Sequence, residues 1–360
     1  MNWYYFIFVW IAIMAAMQNQ GLVQKNKLGT NQNRQWKLIW AIIAFFPVIY
    51  LVVFTVARSD TVLYLKIFQG ITTSFEGLKQ VVLEHESGWG FLVFEILEKK
   101  VLGDNPIIFR LILALMHILP VIIVYRKYSN NYILSVYLFI ASGCHIGWMM
   151  NGLRQFLAVS IIFAATPLLV EKKYIKLIII ILIASTIHSS ALIMLPVIFI
   201  VHGKAWNKKT MVFIILSIIA MYIFSKNINT FDMLISNTEY AGTGVAMAAA
   251  GDDGVNPIRV LVNAIPMLLA LIGKRIIDQE DDIFINICVN MSVITTGIYL
   301  VAMVTSGIMV GRLPVYVSLY NFILLPNLVE KIFTPRSKTI VTGMMVVFYF
   351  IYYLYGYRGF

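Results

Sequence analysis

Charge is scarce in this sequence. Only 12% of its 360 residues are Asp, Glu, Lys or Arg, while 60% are hydrophobic. That balance excludes a soluble globular fold, a disordered chain and a nucleic-acid binder. Cysteine is almost absent: Cys144 and Cys288 both fall inside apolar stretches, so they read as reduced, buried thiols and a disulfide scaffold is excluded. The histidines, His85, His117, His145, His188 and His202, show no metal-ligand spacing, so neither a metal nor another cofactor is expected, and His117 reads as a core or interhelical residue. Acidic residues are outnumbered 17 to 28 by basic ones. No repeat relates the two halves, which disfavours duplicated transporter folds. The first apolar run lacks a basic flank and a small-residue cleavage site, so it reads as a retained helix.

What is abundant is long apolar runs. They occur near 3–17, 36–57, 105–125, 131–149, 152–170, 174–187, 189–202, 210–226, 257–273, 283–305, 307–329 and 339–355. A bilayer-spanning helix needs roughly 20 apolar residues. The expectation is an all-α polytopic membrane protein, one transmembrane domain over 1–360 with about twelve spans (11–13).

Basic residues decide the orientation. They cluster at Lys25 to Lys37, Arg126–Lys127, Lys172 to Lys176, Lys204 to Lys209, Lys274–Arg275 and Lys331 to Lys338, all on one side if the spans alternate. These loops hold 17 of the 28 basic and 6 of the 17 acidic residues, so the whole net charge of +11 lies there. The positive-inside rule makes that side cytoplasmic and both termini external.

Arginines on the other side need a different reason. Polar residues there are Arg58 with Asp60, the Glu84–His85–Glu86 run, Arg154 with Gln155, His188, Arg259 and Arg312. The external loop 58–104 carries a capping box, Thr73 with Glu76, followed by Phe75, Leu78 and Val82 on one face, which predicts an amphipathic helix on the outer surface. Segment 91–97 is too short to cross and ends in Glu98–Lys99–Lys100, so it is expected at the interface. Segments 174–187 and 189–202 read as two antiparallel helices of about 14 residues, each about 21 Å long against a hydrocarbon core of about 30 Å. Their turn at Thr186 to Ser190 then sits below the surface, where polar backbone marks a buried or water-filled site.

Arg154 follows Asn151–Gly152 and Arg259 follows Asn256–Pro257, so both are expected near helix N-termini, where backbone N–H groups and guanidinium forks favour phosphate. Arg312 lies inside a span beside Pro314, with Tyr316 one turn on. An intramembrane arginine defaults to function, although one that snorkels to lipid headgroups is the bland alternative. Glu84 and Glu86 read first as a solvated face, and His188 has an ordinary capping role open to it. The small-residue loop 227–256 reads as a flexible lid.

Taken in order, Arg58–Ser59–Asp60–Thr61 with Tyr64, Glu86 with Gly90–Phe91, Asn151 to Gln155 with Ala158, His188 to Ala191, and Arg312 with Tyr316 resemble the EpsG family, Wzy-like polymerases of bacterial exopolysaccharide, capsule and O-antigen repeat units. The segment at Arg58 and Asp60 is shorter than the family pattern, with Ser59 where a glycine is usual. The resemblance implies a fold similar to the GT-C class and a glycosyltransferase in the bacterial cytoplasmic membrane with an external site. It would join undecaprenyl-diphosphate-linked oligosaccharide donor and acceptor, with a flippase and a chain-length regulator as partners.

On that footing Arg154, Arg259, Arg312 and Arg58 are expected to hold the diphosphate, and His188, Asp60 and Glu86 are the candidate bases, His188 first because of its submerged turn. Gln155, Tyr64 and Tyr316 support the sugar. A flippase of the same lipid-linked oligosaccharide is the alternative, and a membrane O-acyltransferase, with His202 as its only weak histidine, is another.

Overall fold

The structure, a computed structural model, describes residues 3–19, 22–25, 34–56, 60–74, 79, 88–226, 228–234, 251–252 and 254–357. Among the described residues the regular structure is helical apart from one two-stranded antiparallel ribbon, and the chain forms two compact units.

The first unit comprises residues 1–192 and 333–360. Its elements are α1 (Trp3–Ala16), β1 (Val23–Lys25), β2 (Arg34–Trp36), α2 (Leu38–Ala44), α3 (Phe46–Phe54), α4 (Asp60–Gly70), α5 (Trp89–Leu102), α6 (Pro106–Tyr128), α7 (Tyr132–Ala141), α8 (Cys144–Asn151), α9 (Leu153–Ala164), α10 (Thr166–Val170) and α11 (Tyr174–Ile187). α6 is its central rod, packed on α3, α7 and α9, and α9 in turn lies along α11. Asn105 caps α6, accepting from the N–H groups of Ile107 and Ile108, and Pro106 follows at the first helical position, where a missing N–H costs nothing. Several runs that read as single spans are broken: α2 and α3 meet at Phe45–Pro47, and α7 and α8 meet at 64° around Gly143, whose φ is +67°. Pro47 lacks the N–H that would continue the ladder, and Gly143 adopts the left-handed backbone that ends one.

The second unit comprises residues 193–332: α12 (Met194–Val201), α13 (Lys208–Lys226), α14 (Ile228–Leu234), α15 (Pro257–Ile272), α16 (Lys274–Glu280), α17 (Ile283–Ala302), α18 (Val315–Ser318) and α19 (Asn321–Ile332). α17 is enclosed by α12, α13, α15 and α19 and is buried on nearly every side. Its buried Asn290 is a hub: the amide donates to the carbonyls of Val201 and Lys204 and accepts from the Trp206 N–H, each at 3.0 Å. The run 307–329 is fragmented into a 3-10 turn at Val310–Arg312, α18 and α19; Pro314, which has no N–H for the ladder, stands just before α18, and the 50° bend falls between Ser318 and Asn321. The helix α20 (Pro335–Tyr357) belongs to the first unit, where the Tyr137 hydroxyl donates to its Val346 carbonyl.

Every one of the twelve apolar runs carries helix. Among the described residues, α6, α13, α17 and α20 are each long and apolar enough to cross a bilayer, and counting each bent pair as one span gives up to seven. This is an all-helical polytopic membrane protein.

Contacts inside each unit bring the basic loops together. In the first, the Arg126 Nε donates to the Trp36 carbonyl, and Glu171 pairs with Lys173 and feels Lys127 and Lys176. In the second, Lys204 pairs with Asp281, Lys274 with Asp278 and Lys331 with Glu280.

Candidate functional site

Arg154 lies in the first turn of α9, at the opposite end of α9–α10 from Lys172 and Lys173. Gly152 precedes the helix, so the expected position near a helix N-terminus is what the structure has. The guanidinium Nε donates to the Tyr64 hydroxyl at 2.8 Å, and the group lies 5.4 Å from that ring's centroid. Tyr64 itself is set by an edge contact with Phe91, at 5.6 Å between ring centroids. Asp60 lies one turn before Tyr64 on α4, in that helix's first turn, and is half-buried. Next to Arg154, the buried Gln155 donates from Nε2 to the Ser190 hydroxyl at 3.3 Å, which lies 2.7 Å from His188 Nδ1. The structure thus joins Arg154 to Tyr64 and Gln155 to His188 in one neighbourhood of the first unit.

His188 ends α11 in an extended conformation, φ −150° and ψ 118°, so the helix breaks at the expected position. The Ser190 N–H donates to His188 Nδ1 at 3.4 Å. In that contact Nδ1 is the acceptor, since a backbone N–H always donates.

Two residues that the sequence reading passed over stand at this end of the molecule. Segment 91–97, expected as a short interfacial stretch, belongs to the longer α5, which is not one of the spanning candidates. Phe91, Glu95 and Glu98 fall at i, i+4 and i+7 on one face, and that face is buried. Glu95 has no exposed surface, and no carboxylate oxygen of Glu95 or Glu98 has a hydrogen-bond partner among the described residues. Burial pushes the Glu95 carboxyl up to about 8; the Arg154 charge pulls against that rise and Glu98 adds to it. Burial likewise raises Glu98 to about 7. Acids on the same helical stripe as Phe91 were the available signal. Arg110 was also missed: it donates to the carbonyls of Val52 and Thr55, satisfying the end of α3.

Arg259 and Arg312 belong to the second unit. Asn256 caps α15, accepting from the Ile258 N–H at 2.8 Å, with Pro257 at the first helical position and Arg259 in the first turn. Arg312 closes the 3-10 turn after α17, and Tyr316 is buried in α18. The segments bearing both arginines share one apolar cluster, Val255 and Val260 with Val310 and Leu313. Glu76, the partner of Thr73 in the capping box, together with Arg58, Glu84, His85, Glu86 and most of the loop 227–256, lies outside the described residues.

The described end of that loop is fastened. Asp252 accepts from the Ser306 hydroxyl at 2.5 Å and from the N–H groups of Gly307, Ile308 and Gly254. Burial pushes its carboxyl up, but these four donors outweigh it and hold it below the usual carboxylate range.

A small cavity lined by Thr61, Arg110, His117, Met149 and Leu153 has room for no more than about one water molecule. His117 donates from Nε2 to the Leu153 carbonyl at 3.1 Å, the interhelical role expected of it. Among the described residues, no three His, Cys, Asp or Glu side chains gather closely enough to hold a metal ion.

In comparisons with known proteins, the family model described as the EpsG family matches residues 38–360. No curated protein and no solved structure matches the chain.

Proposed function

Because this chain belongs to the EpsG family, whose members are membrane proteins of polysaccharide biosynthesis, we propose that it is a glycosyltransferase joining undecaprenyl-diphosphate-linked oligosaccharide repeat units at the outer leaflet of the bacterial cytoplasmic membrane. The proposal includes about twelve spans, external termini, a GT-C-like fold and an external site. The basic loops gathered within each unit support that orientation.

The observation that carries the reading is the setting of Arg154. It stands in the first turn of a helix, beside an aromatic ring, with no ion-pair partner among the described residues. Helix N–H groups and an unneutralised guanidinium together favour an anion such as a diphosphate.

In this reading the growing oligosaccharide on one lipid diphosphate is the donor, and a hydroxyl of the repeat unit on a second lipid attacks its anomeric carbon. As the bond to the diphosphate breaks, negative charge grows on the phosphate oxygens. A guanidinium already fixed there favours the transition state over the ground state. Arg154 takes this role, with Tyr64 and Gln155 beside the sugar; the sequence pattern adds Arg58, Arg259 and Arg312 as diphosphate candidates and Tyr316 as a sugar candidate. The hydroxyl proton goes to Asp60, on the same face of α4 as Tyr64, with Glu86 as the other candidate carboxylate. His188, whose Nδ1 lies 2.7 Å from the Ser190 hydroxyl, is the other candidate base.

The test is to delete the gene and analyse lipid-linked glycans for length and leaflet. Single repeat units stranded on the outer leaflet are expected, restored to long chains by the wild-type gene and by His188→Gln at reduced rate, but not by Asp60→Asn. Units trapped on the inner leaflet would instead make the protein a flippase, and full-length glycans lacking a substituent would make it an acyltransferase.

A further inference from the structure

Glu95 is a buried carboxyl that the proposed chemistry leaves unused. Its helix approaches the end of α11 so closely that a Cβ on Gly90 would meet Thr186 Oγ1 at 2.3 Å, and one on Gly88 would meet Arg154 Nη1 at 2.6 Å. The first turn of α5 therefore rests against the Arg154 guanidinium itself. From there Glu95 lies within the electrostatic reach of Arg154, yet the two form no ion pair.

This arrangement is unusual in energetic terms. A buried carboxylate with a cation nearby ordinarily closes onto it, because an unpaired charge in a dry site costs several kcal/mol. Of its two forms, the neutral carboxyl costs less to leave unpaired in such a site, and a neutral carboxyl leaves the cation's charge uncancelled.

The other charged groups around α5 do not supply an alternative partner. On α5 itself, Lys99 donates to the carbonyls of Phe68 and Gln69 and pairs with Asp104, while Lys100 is exposed. α4 contributes Asp60, Tyr64 and the exposed Lys66; Tyr64 is held by Arg154. On α6, Arg110 is spent on backbone carbonyls and His117 on Leu153. α11 carries two ionisable groups, Tyr174 and Lys176, both in its first turn, at the end remote from Thr186. Among the described residues, the charged groups that act on Glu95 are Arg154 and Glu98.

Resting on the reading of Arg154 as a diphosphate ligand, we propose that Glu95 is a positioning residue that sets the charge of the anion site through its proton. Protonated, it leaves the Arg154 guanidinium to the phosphate. Ionised, it competes with the phosphate for the same guanidinium. Binding and protonation are then linked: a bound diphosphate holds the proton on Glu95, and loss of that proton expels the diphosphate. The neutral state prevails at physiological pH because the carboxyl is raised to about 8.

The experiment is binding of an undecaprenyl-diphospho-monosaccharide to the full-length protein in nanodiscs, from about pH 6 to about pH 9.5. The diphosphate of this probe is a diester and does not titrate in that range, so the protein supplies any pH dependence. Wild-type affinity should be flat at the acid end and fall by up to about tenfold per pH unit above about 8, the limit for one linked proton. Glu95→Gln, which keeps the shape and neutrality of the protonated side chain, should bind throughout with no alkaline loss. Glu98→Gln should move the wild-type fall to lower pH, because Glu98 helps to hold the proton on Glu95.

An E95Q protein that loses affinity above pH 8 as the wild type does, or that fails to bind at any pH despite normal membrane levels, would overturn the proposal. Arg154→Ala separates this from the reading beneath it. If R154A binds like the wild type, Arg154 is no diphosphate ligand; if R154A loses binding while E95Q titrates like the wild type, only the role of Glu95 fails.

Discussion

A carboxyl group closed off from water and from hydrogen-bond donors resists ionisation, and in Glu95 that resistance reaches the stability of the fold as well as the site. Its proton is held more tightly in the folded state, about 8 against an ordinary 4.5, so the folded protein binds more protons than the unfolded chain between those values. The stabilisation is complete below about 4.5 and is lost as pH rises through 8. Thermal unfolding of the wild type in nanodiscs should therefore move to lower temperature between about pH 6 and about pH 9, while Glu95→Gln should flatten that slope; equal slopes in the two proteins would refute it. This residue was hidden in the sequence because an acid in an exposed-looking amphipathic segment is ordinarily solvated, and periodicity alone does not say which face a neighbouring helix covers. Arg154 was legible for the opposite reason: Asn151–Gly152 before it marks a helix start by local chemistry. Asn256–Pro257 before Arg259 is a second such local signal, and Asn256 makes the cap that it implies.

At the scale of elements, the approach of α5 to α11 depends on Gly90, where any side chain meets Thr186 at 2.3 Å and its carbonyl carbon at 3.0 Å. Gly90→Ala should destabilise the protein by about 1 to 3 kcal/mol, the usual cost of overpacking. Thr186→Ala should recover part of it in the double variant, read as thermal stability; strict additivity would mean that the helices do not touch there. Gly254 serves the loop before α15 in a comparable way. Its φ is +97°, and a Cβ would sit 2.4 Å from the Met303 carbonyl oxygen. The breaks in the helices were partly legible. Pro47 and Pro314 lie in the sequence as helix breakers, but apolar runs read as spans gave no measure of how far each is bent. The 64° turn between α7 and α8 rests on a single Gly143 with left-handed backbone. Arg110 could not be read at all, since the carbonyls that it satisfies belong to a helix more than 50 residues earlier.

For the molecule as a whole, the segregation of charge makes a prediction about sidedness. In a protein lacking Cys144 and Cys288, a cysteine at Asp104 should react with a membrane-impermeant maleimide in intact cells, and one at Arg336 only after permeabilisation. Both positions are exposed. The reverse pattern would invert the orientation, and labelling of both in intact cells would break the alternation of spans. Charge asymmetry is readable because it is a sum over many residues and survives errors at any one of them. The enclosure of α17 is not readable in that way, and it bears on how the protein is made. This helix carries Asn286, Asn290, Thr295 and Thr296 into the interior of its unit, and one wall of that interior, α19, lies nearer the C-terminus. A ribosome releases α17 before α19 exists. For that interval the nascent helix meets lipid or an insertion chaperone along a face that the finished protein covers, so the second unit closes only after synthesis has passed residue 332.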